Sequence, residues 1–158
     1  MAEEFELSTV SQRSGVELRK LRYCVDHELV PERTWFLAEH EVGRPRRFDS
    51  ITAVYLVCAA RLLESGVRRD AVKSLMQQVG RLMKPGRNPL NLPLIAEAFF
   101  SQVDALIEYA DGSHYRWRVG KTDSGWLSFD GRLRPAPDFL PVAVISLNVS
   151  LVRKRLLA

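Results

Sequence analysis

Residues 51–64 restrict the fold of this chain more than any other segment, because apolar side chains cover almost the whole circumference of the helix that they would form. Asp49 or Ser50 can cap the start of this helix, and Ser65-Gly66 ends it. A helix that is apolar nearly all round is stable only when other elements surround it. The sequence therefore predicts a buried central helix with further elements packed around it.

Two short helices are predicted before the central one, and they are joined by a tight turn. The first runs over 7–15, with Ser8 as its N-cap and Gly15 as the left-handed residue that stops it. The second runs over Val16–Glu28 and ends before Pro31, which cannot continue a helix. Two short helices around a glycine turn are typical of a helix-turn-helix motif.

The segment between this motif and the central helix predicts a two-stranded hairpin. Residues 33–37 are rich in β-prone side chains, and residues 43–48 follow as the second arm with a loose, arginine-rich tip. After the central helix, the apolar spacing predicts one more amphipathic helix over Val67–Met83. These elements form one predicted domain over residues 5–83.

Residues 84–92 contain several helix breakers, so we interpret them as a linker to a small α+β domain over residues 93–158. Its first predicted element is a helix over 93–103, and the last is a helix over 149–157 that Asn148 caps. Asp111-Gly112 predicts a hairpin turn. The other predictions are strands over 105–110, 113–119 and 125–129, a proline-bearing loop over 132–137 and a buried strand over 141–147.

The composition favours a globular protein with a mildly basic surface. The net charge is +4 and the pI is about 9.3. However, residues 1–83 carry 13 basic and 12 acidic side chains, so nucleic-acid binding there requires that the basic groups share one face. No apolar run approaches the roughly 20 residues of a membrane span, and the acidic start is unlike a secretory signal. We therefore predict a cytoplasmic protein that does not associate with membranes.

Side chains for catalysis or for metal binding are sparse. His27, His40 and His114 are scattered, and neither cysteine stands at metal-ligand spacing from them. Cys24 and Cys58 are predicted to be buried reduced thiols. No phosphate-cradling glycine loop and no nucleophile elbow is present. The sequence predicts no enzymatic activity, no cofactor and no metal.

The order of elements in residues 5–83 resembles the winged helix-turn-helix of the MerR family of bacterial DNA-binding proteins. Gly15-Val16, Leu21-Arg22-Tyr23 and Leu29-Val30-Pro31 stand at the spacing of that family's recognition helix. The arginine-rich tip before Phe48 resembles its wing, and Glu64-Ser65-Gly66-Val67 resembles its next helix junction. The chain departs from the family at Cys24, where a second Tyr is usual, and at Glu28, where a Gly is usual. Residues 93–158 resemble no family that we recognise.

The resemblance implies an α+β protein with an N-terminal winged helix-turn-helix, made of four helices and a two-stranded wing, followed by a small α+β region. It also implies a sequence-specific transcriptional regulator that places residues 16–28 in the major groove of double-stranded DNA and the wing on the flanking backbone. The implied DNA-binding residues are Glu17, Leu18, Arg19, Lys20, Arg22, Tyr23, Arg44, Arg46 and Arg47.

Partners and alternatives remain open at this point. Breakers in 84–93 interrupt any long coiled-coil helix, so we expect a homodimer, if one forms, to use the C-terminal α+β region. That region could also hold a protein partner or a small ligand, with Tyr115 and Trp117 as pocket candidates, although an ordinary sheet core explains both residues. Other functional interpretations are an excisionase-like or architectural DNA-binding protein and an antitoxin-like protein-interaction module.

Overall fold

The computed structural model describes residues 3–30, 43, 45–82, 105–111, 114–119, 122–123, 125–128, 133–134 and 139–158. These residues form an α+β fold with five helices and two antiparallel sheets. The helices are α1 (Leu7–Ser14), α2 (Leu18–Asp26), α3 (Ser50–Glu64), α4 (Arg69–Leu82) and α5 (Val149–Leu157). Each matches a helix predicted from the sequence, with ends that differ by no more than two residues. The helix predicted over 93–103 lies outside the described residues.

The ends of α1 show one correct and one wrong prediction. Gly15 adopts the left-handed conformation with φ 71°, and its N–H donates to the Ser11 carbonyl, as expected for the residue that stops a helix. Ser8 is not the N-cap, because the helix begins at Leu7 and Ser8 already lies within its first turn. Glu6 takes the cap position, since the short strand before the helix runs directly into it.

The central helix α3 is buried as predicted. Its buried side chains are Thr52, Ala53, Val54, Tyr55, Leu56, Val57, Cys58, Ala59, Ala60 and Leu62. The Asp49 carboxylate accepts a hydrogen bond of 2.7 Å from the Thr52 N–H, which confirms Asp49 as the N-cap. The helices α1, α2, α4 and α5 all contact α3, so it organises the helical layer.

Replacing the cap tests how much the start of α3 depends on this bond. We expect Asp49→Ala to lower the free energy of unfolding by about 1 kcal/mol, because a half-buried helix start loses one acceptor for its free N–H groups. Urea unfolding of the full chain measures the change. The adjacent Ser50→Ala is the control and should change stability by less than about 0.5 kcal/mol. Equal losses in both variants would contradict the assigned cap.

The smaller sheet pairs two segments that are distant in sequence. Strand β1 (Glu4–Glu6) lies antiparallel to β2 (Arg47–Asp49), and Phe5 stands opposite Phe48. Both phenylalanines are 1% exposed, so the pair closes one side of the helical core. The sequence analysis did not predict β1. The other predicted wing arm, residues 33–37, lies outside the described residues, and the hairpin stays a prediction.

The larger sheet contains β3 (Ala105–Ala110), β4 (His114–Val119), β5 (Thr122–Asp123), β6 (Trp126–Ser128), β7 (Leu133–Arg134) and β8 (Val144–Asn148). Its order is β7-β6-β4-β3-β8, and β5 pairs with β4. Strands β3 and β4 form the predicted hairpin, in which Asp111 has a φ of 48°. The loop predicted over 132–137 is wrong in part, since β7 pairs with β6 before the prolines at 135 and 137.

Strand β8 differs from its prediction in both extent and burial. It begins at Val144 rather than at Pro141, and its residues alternate between exposed and half-buried. The predicted burial is not observed, because only Ile145 and Leu147, on one face of β8, pack against the core. The predicted cap of the following helix is confirmed, since the Asn148 side chain accepts a 2.9 Å bond from the Leu151 N–H.

The inner face of the larger sheet packs on the helices in one continuous core. Ile107, Tyr109 and Tyr115 belong to the same buried cluster as Leu56 of α3 and Leu156 of α5. The Tyr115 hydroxyl also donates a hydrogen bond to Gln78 of α4. Residues from both predicted domains therefore share one core, while the linker proposed over 84–92 lies outside the described residues.

Candidate nucleic-acid interface

The turn between α1 and α2 is fixed by hydrogen bonds of its own residues. The Ser11 hydroxyl donates to the Val16 carbonyl over 2.6 Å, and the Val16 N–H donates to the Ser14 hydroxyl over 3.2 Å. Val16 is buried at 1% exposure. Together with the left-handed Gly15, these contacts set the direction in which α2 leaves α1.

Arg61 of α3 connects this turn to the central helix. Its guanidinium donates to the Ser14 carbonyl over 2.9 Å and to the Glu64 carboxylate over 2.8 Å. The second oxygen of Glu64 accepts from Lys20 of α2 over 3.1 Å. Burial raises the pKa of Glu64, but the hydrogen bonds and charges of Arg61 and Lys20 outweigh it, and the net shift is downward. Glu64 is therefore held as a carboxylate that links α2 to α3.

Helix α2 has a buried face and a polar solvent face. Leu21 and Cys24 are 0% exposed and pack against the core. Arg19, Arg22 and Tyr23 are exposed on the opposite side, because positions three and four apart share one face of a helix. Of the predicted DNA-binding residues on this helix, these three share its solvent face, which we call the α2 face.

The other predicted recognition-helix residues have different positions. Glu17 is exposed at the N-cap of α2, and Leu18 is half-buried in its first turn. Lys20 is half-buried and engaged with Glu64 of α3, so its ammonium lies beside the neighbouring helix. These positions leave Arg19 and Arg22 as the two cations of the α2 face.

Two residues near this face were not among the predicted DNA-binding residues. Asp26 is exposed and stands four residues after Arg22, which places a carboxylate near the same face. The His27 ring lies 4.1 Å from the Tyr23 ring, measured between centroids, and their planes are tilted by 46°. A tyrosine followed four residues later by a histidine on a helix is the spacing that would have indicated this contact.

The predicted wing arginines are only partly described. Arg44 lies outside the described residues, and Arg46 is exposed before β2. Arg47 is exposed in β2 and makes a 3.4 Å ion pair with Glu4 of β1. Arg19, Arg22 and Arg46 form no ion pair with any residue that the structure describes.

The end of α2 has an unusual backbone conformation at Glu28, which has a φ of 53°. Left-handed backbone costs a residue with a side chain about 1 kcal/mol or more relative to glycine. The Leu29 N–H reaches back to the Cys24 carbonyl over 2.9 Å, and Leu29 is then buried at 0% exposure. The left-handed residue thus turns the chain so that Leu29 enters the core.

Two arginines of strand β4 are already engaged with other groups of the larger sheet. Arg116 forms an ion pair with Glu108, and its guanidinium lies 4.3 Å above the Trp126 ring. Arg118 lies 3.5 Å from the other oxygen of Glu108. Because Glu108 is buried at 8% exposure, these cations compensate a charge inside the protein. They are less available to a phosphate than the arginines of the α2 face.

A groove of about 510 Å³ lies between the α3–α4 turn and the larger sheet. Val67, Arg68, Asp70, Tyr109 and Ile145 are among its lining residues. Tyr115, a predicted pocket residue, lies instead in the core at 1% exposure. Burial raises the pKa of the Tyr109 hydroxyl against the opposing effect of Arg68, so this phenol stays protonated at neutral pH.

Within the described ranges, no group of three His, Cys, Asp or Glu side chains could hold a metal ion. None of the helices described is both long enough and apolar enough to cross a bilayer. Comparison of the chain with family models, curated proteins and solved structures finds no match. A functional interpretation therefore depends on the geometry of the chain itself.

Proposed function

We propose that this chain is a sequence-specific transcriptional regulator that binds double-stranded DNA with α2 in the major groove. The observation that carries the proposal is the α2 face, on which Arg19, Arg22 and Tyr23 are exposed together on a short helix held firmly from behind. A major groove accepts one α-helix, and arginine can bond bidentately to a guanine edge or to a phosphate.

The rigid support behind α2 is what a reading helix requires. Base contacts discriminate only when their donors are held in a fixed position relative to the DNA backbone. Here the Gly15 turn, the Arg61 contact with Ser14 and the Lys20–Glu64 ion pair fix α2 on α3. No ion pair with another described residue restrains the ends of Arg19 and Arg22, which can therefore adjust to bases or phosphates.

The resemblance to MerR-type recognition helices gains support from Glu28. The family's usual glycine falls at this position, and here the backbone is left-handed although the residue is glutamate. Arg46 stands directly before β2, and Arg47 is its first residue. A wing would place cations on the flanking phosphates at these positions. The Arg47–Glu4 pair is exposed and contributes little stability, so a phosphate can replace the carboxylate at small cost.

Selection of bound sequences from a random duplex pool tests the function directly. With the full chain, we expect enrichment of a short motif that the unselected pool lacks. Enrichment of direct repeats of one motif would favour the architectural, excisionase-like alternative over a regulator. No enrichment at low salt, where phosphate contacts are strongest, would overturn the proposal of sequence-specific binding.

Removing one guanidinium from the α2 face should weaken binding. We expect Arg22→Ala to lower the affinity for the selected duplex by about 1–3 kcal/mol, which is roughly 5- to 150-fold, and to reduce the salt slope by about 1. Fluorescence anisotropy at several salt concentrations measures both quantities.

The matched control is Arg155→Ala on α5, which removes the same charge from an exposed helical position. Its affinity should change less than about 2-fold, since a charge outside the α2 face acts only through the screened overall field. If both variants lose affinity equally, binding is a diffuse charge effect and α2 is not the reading element.

A further inference from the structure

The exposed large apolar side chains of this protein are concentrated near its C-terminal end. Apart from Tyr23 of the α2 face, those in the described residues are Leu140, Val142, Val144, Leu151 and Leu157. Val142 is 96% exposed and Leu140 is 85% exposed. Val142 and Val144 stand two residues apart at the start of β8, so the exposed apolar groups include a pair beside this strand.

Strand β8 lies between Val142 and Leu151 in the sequence, and it is the terminal strand of the larger sheet among the strands that the structure describes. It pairs with β3 on one side, and no other strand among the described segments pairs with it. No charged residue occurs between Asp138 and Arg153. Exposed edges are normally protected by charged side chains or by covering elements, because free N–H and C=O groups can pair with another strand. The edge of β8 lacks the usual charges.

The segment before β8 is held firmly in its exposed position. The Asp111 carboxylate accepts bonds of 3.0 Å from the N–H groups of both Val142 and Ala143. The Asp111 N–H in turn donates to the Ala143 carbonyl over 3.3 Å. Val142 therefore projects into solvent from a fixed backbone, as a side chain that meets a partner would.

We propose that two copies of this chain pair through β8, antiparallel, about a two-fold axis at Ser146. In this register Val144 stands opposite the partner's Asn148, and Ile145 stands opposite the partner's Leu147. The half-buried Ile145 and Leu147 then continue the apolar inner face from one sheet into the next.

A second copy is the occupant that fits this edge because the edge is complementary to itself. The five residues of β8 carry no charge, so antiparallel self-pairing brings no like charges together. A two-fold axis also makes each backbone hydrogen bond between the two β8 edges occur twice, once in each direction. Because each copy uses the same edge, the assembly closes at two subunits. The dimer does not depend on DNA binding, and its test below contains no DNA.

The mass of the full chain in solution is the first test. We expect sedimentation equilibrium to give twice the 18.0 kDa chain mass. Because dimers dissociate on dilution, the measurement should extend up to about 100 µM. A single-chain mass at every concentration would overturn the proposal. The same result is expected if β8 pairs only with a different protein, so that alternative is also separated from self-pairing.

Cross-linking tests the register. Ser146→Cys places two thiols at the proposed axis, where antiparallel Cα atoms lie about 4.5–5.5 Å apart, within the range of a disulfide. Diamide takes up the two hydrogens as the S–S bond forms. Gln77→Cys, at an exposed position of α4, is the control, and the native thiols are buried. We expect Ser146→Cys to cross-link at least about 10-fold faster than the control. Equal rates would overturn the pairing.

Charge on the edge should separate the subunits. We expect Val142→Lys/Val144→Lys to raise the dimer Kd at least about 10-fold, because lysine protects exposed edges from pairing. Gln77→Lys is the control with the same type of substitution on α4 and should leave the Kd within about 2-fold. Far-UV circular dichroism verifies that each variant is folded. An unchanged Kd in the folded double variant would contradict the β8 interface.

Discussion

Leu56→Ala is expected to lower the free energy of unfolding by about 2–5 kcal/mol, among the largest effects of any single substitution in this chain. Leu56 is 0% exposed and lies in the middle of α3. Because α3 contacts each of the other helices described, the cavity left by the substitution cannot close by moving one neighbour. Such a loss is a large part of the 5–15 kcal/mol that typically stabilises a domain.

Urea unfolding followed by circular dichroism measures this loss, and Leu157→Ala is the matched control. Leu157 is also a helical leucine, since it is the last residue of α5. It is 38% exposed, so its truncation should cost less than about 0.5 kcal/mol. Similar losses in the two variants would show that α3 is not the central element of the core. A loss in Leu56→Ala alone supports the position that the structure gives to α3.

The helical part of the fold was predictable because its signals are local. The apolar circumference of residues 51–64 indicated a buried helix, Asn148 was correctly identified as a cap, and Asp49 was one of the two cap candidates named for α3. Glycine at position 15 indicated the left-handed stop of α1. Each of these inferences needs only the spacing of neighbouring residues, which a sequence states directly.

The features that were missed or wrongly predicted depend on distant residues. The three residues of β1 are too few to show a period, and their partner β2 follows about 40 residues later in the chain. The apolar run before and within β8 indicated burial, but its exposure depends on which face of the sheet the helices cover. Pattern alone cannot show whether an apolar strand is covered on both faces or on one.

The candidate site shows the same division between local and distant information. Helical spacing placed Arg19, Lys20, Arg22 and Tyr23 on one polar front of α2, and three of these four, all except Lys20, are exposed. The engagement of Lys20 with Glu64 could not be predicted, because it depends on how α2 crosses α3. This difference matters for function, since Lys20 then supports the helix while the two arginines remain available to a ligand.

Both native cysteines are expected to react with thiol reagents about a thousandfold more slowly than an exposed cysteine at pH 8. Burial raises the pKa of Cys24 and of Cys58 to about 12. Only about one thiol in 10⁴ is then a thiolate at pH 8, compared with roughly a quarter for an ordinary cysteine with a pKa near 8.5. The side chains are also inaccessible, at 0% and 1% exposure.

Reaction with Ellman's reagent measures this difference. We expect almost no reaction of the native chain within minutes and reaction of both thiols after unfolding in guanidinium. Gln77→Cys provides the control, because its exposed thiol should react at once while the two native thiols stay silent.

The pH dependence separates reaction of the folded state from reaction through opening of the chain. Since the folded pKa values are raised, the thiolate fraction should rise about tenfold per pH unit from pH 8 until the pH nears 12. The rate of reaction through the folded state should rise with it.

A rate that becomes constant as the reagent concentration increases would instead report local opening of the helical core. One thiol reacting at the rate of the Gln77→Cys control would contradict the burial of α2 or α3. It would also weaken the case for a rigid α2 face, because Cys24 lies directly behind Arg19, Arg22 and Tyr23.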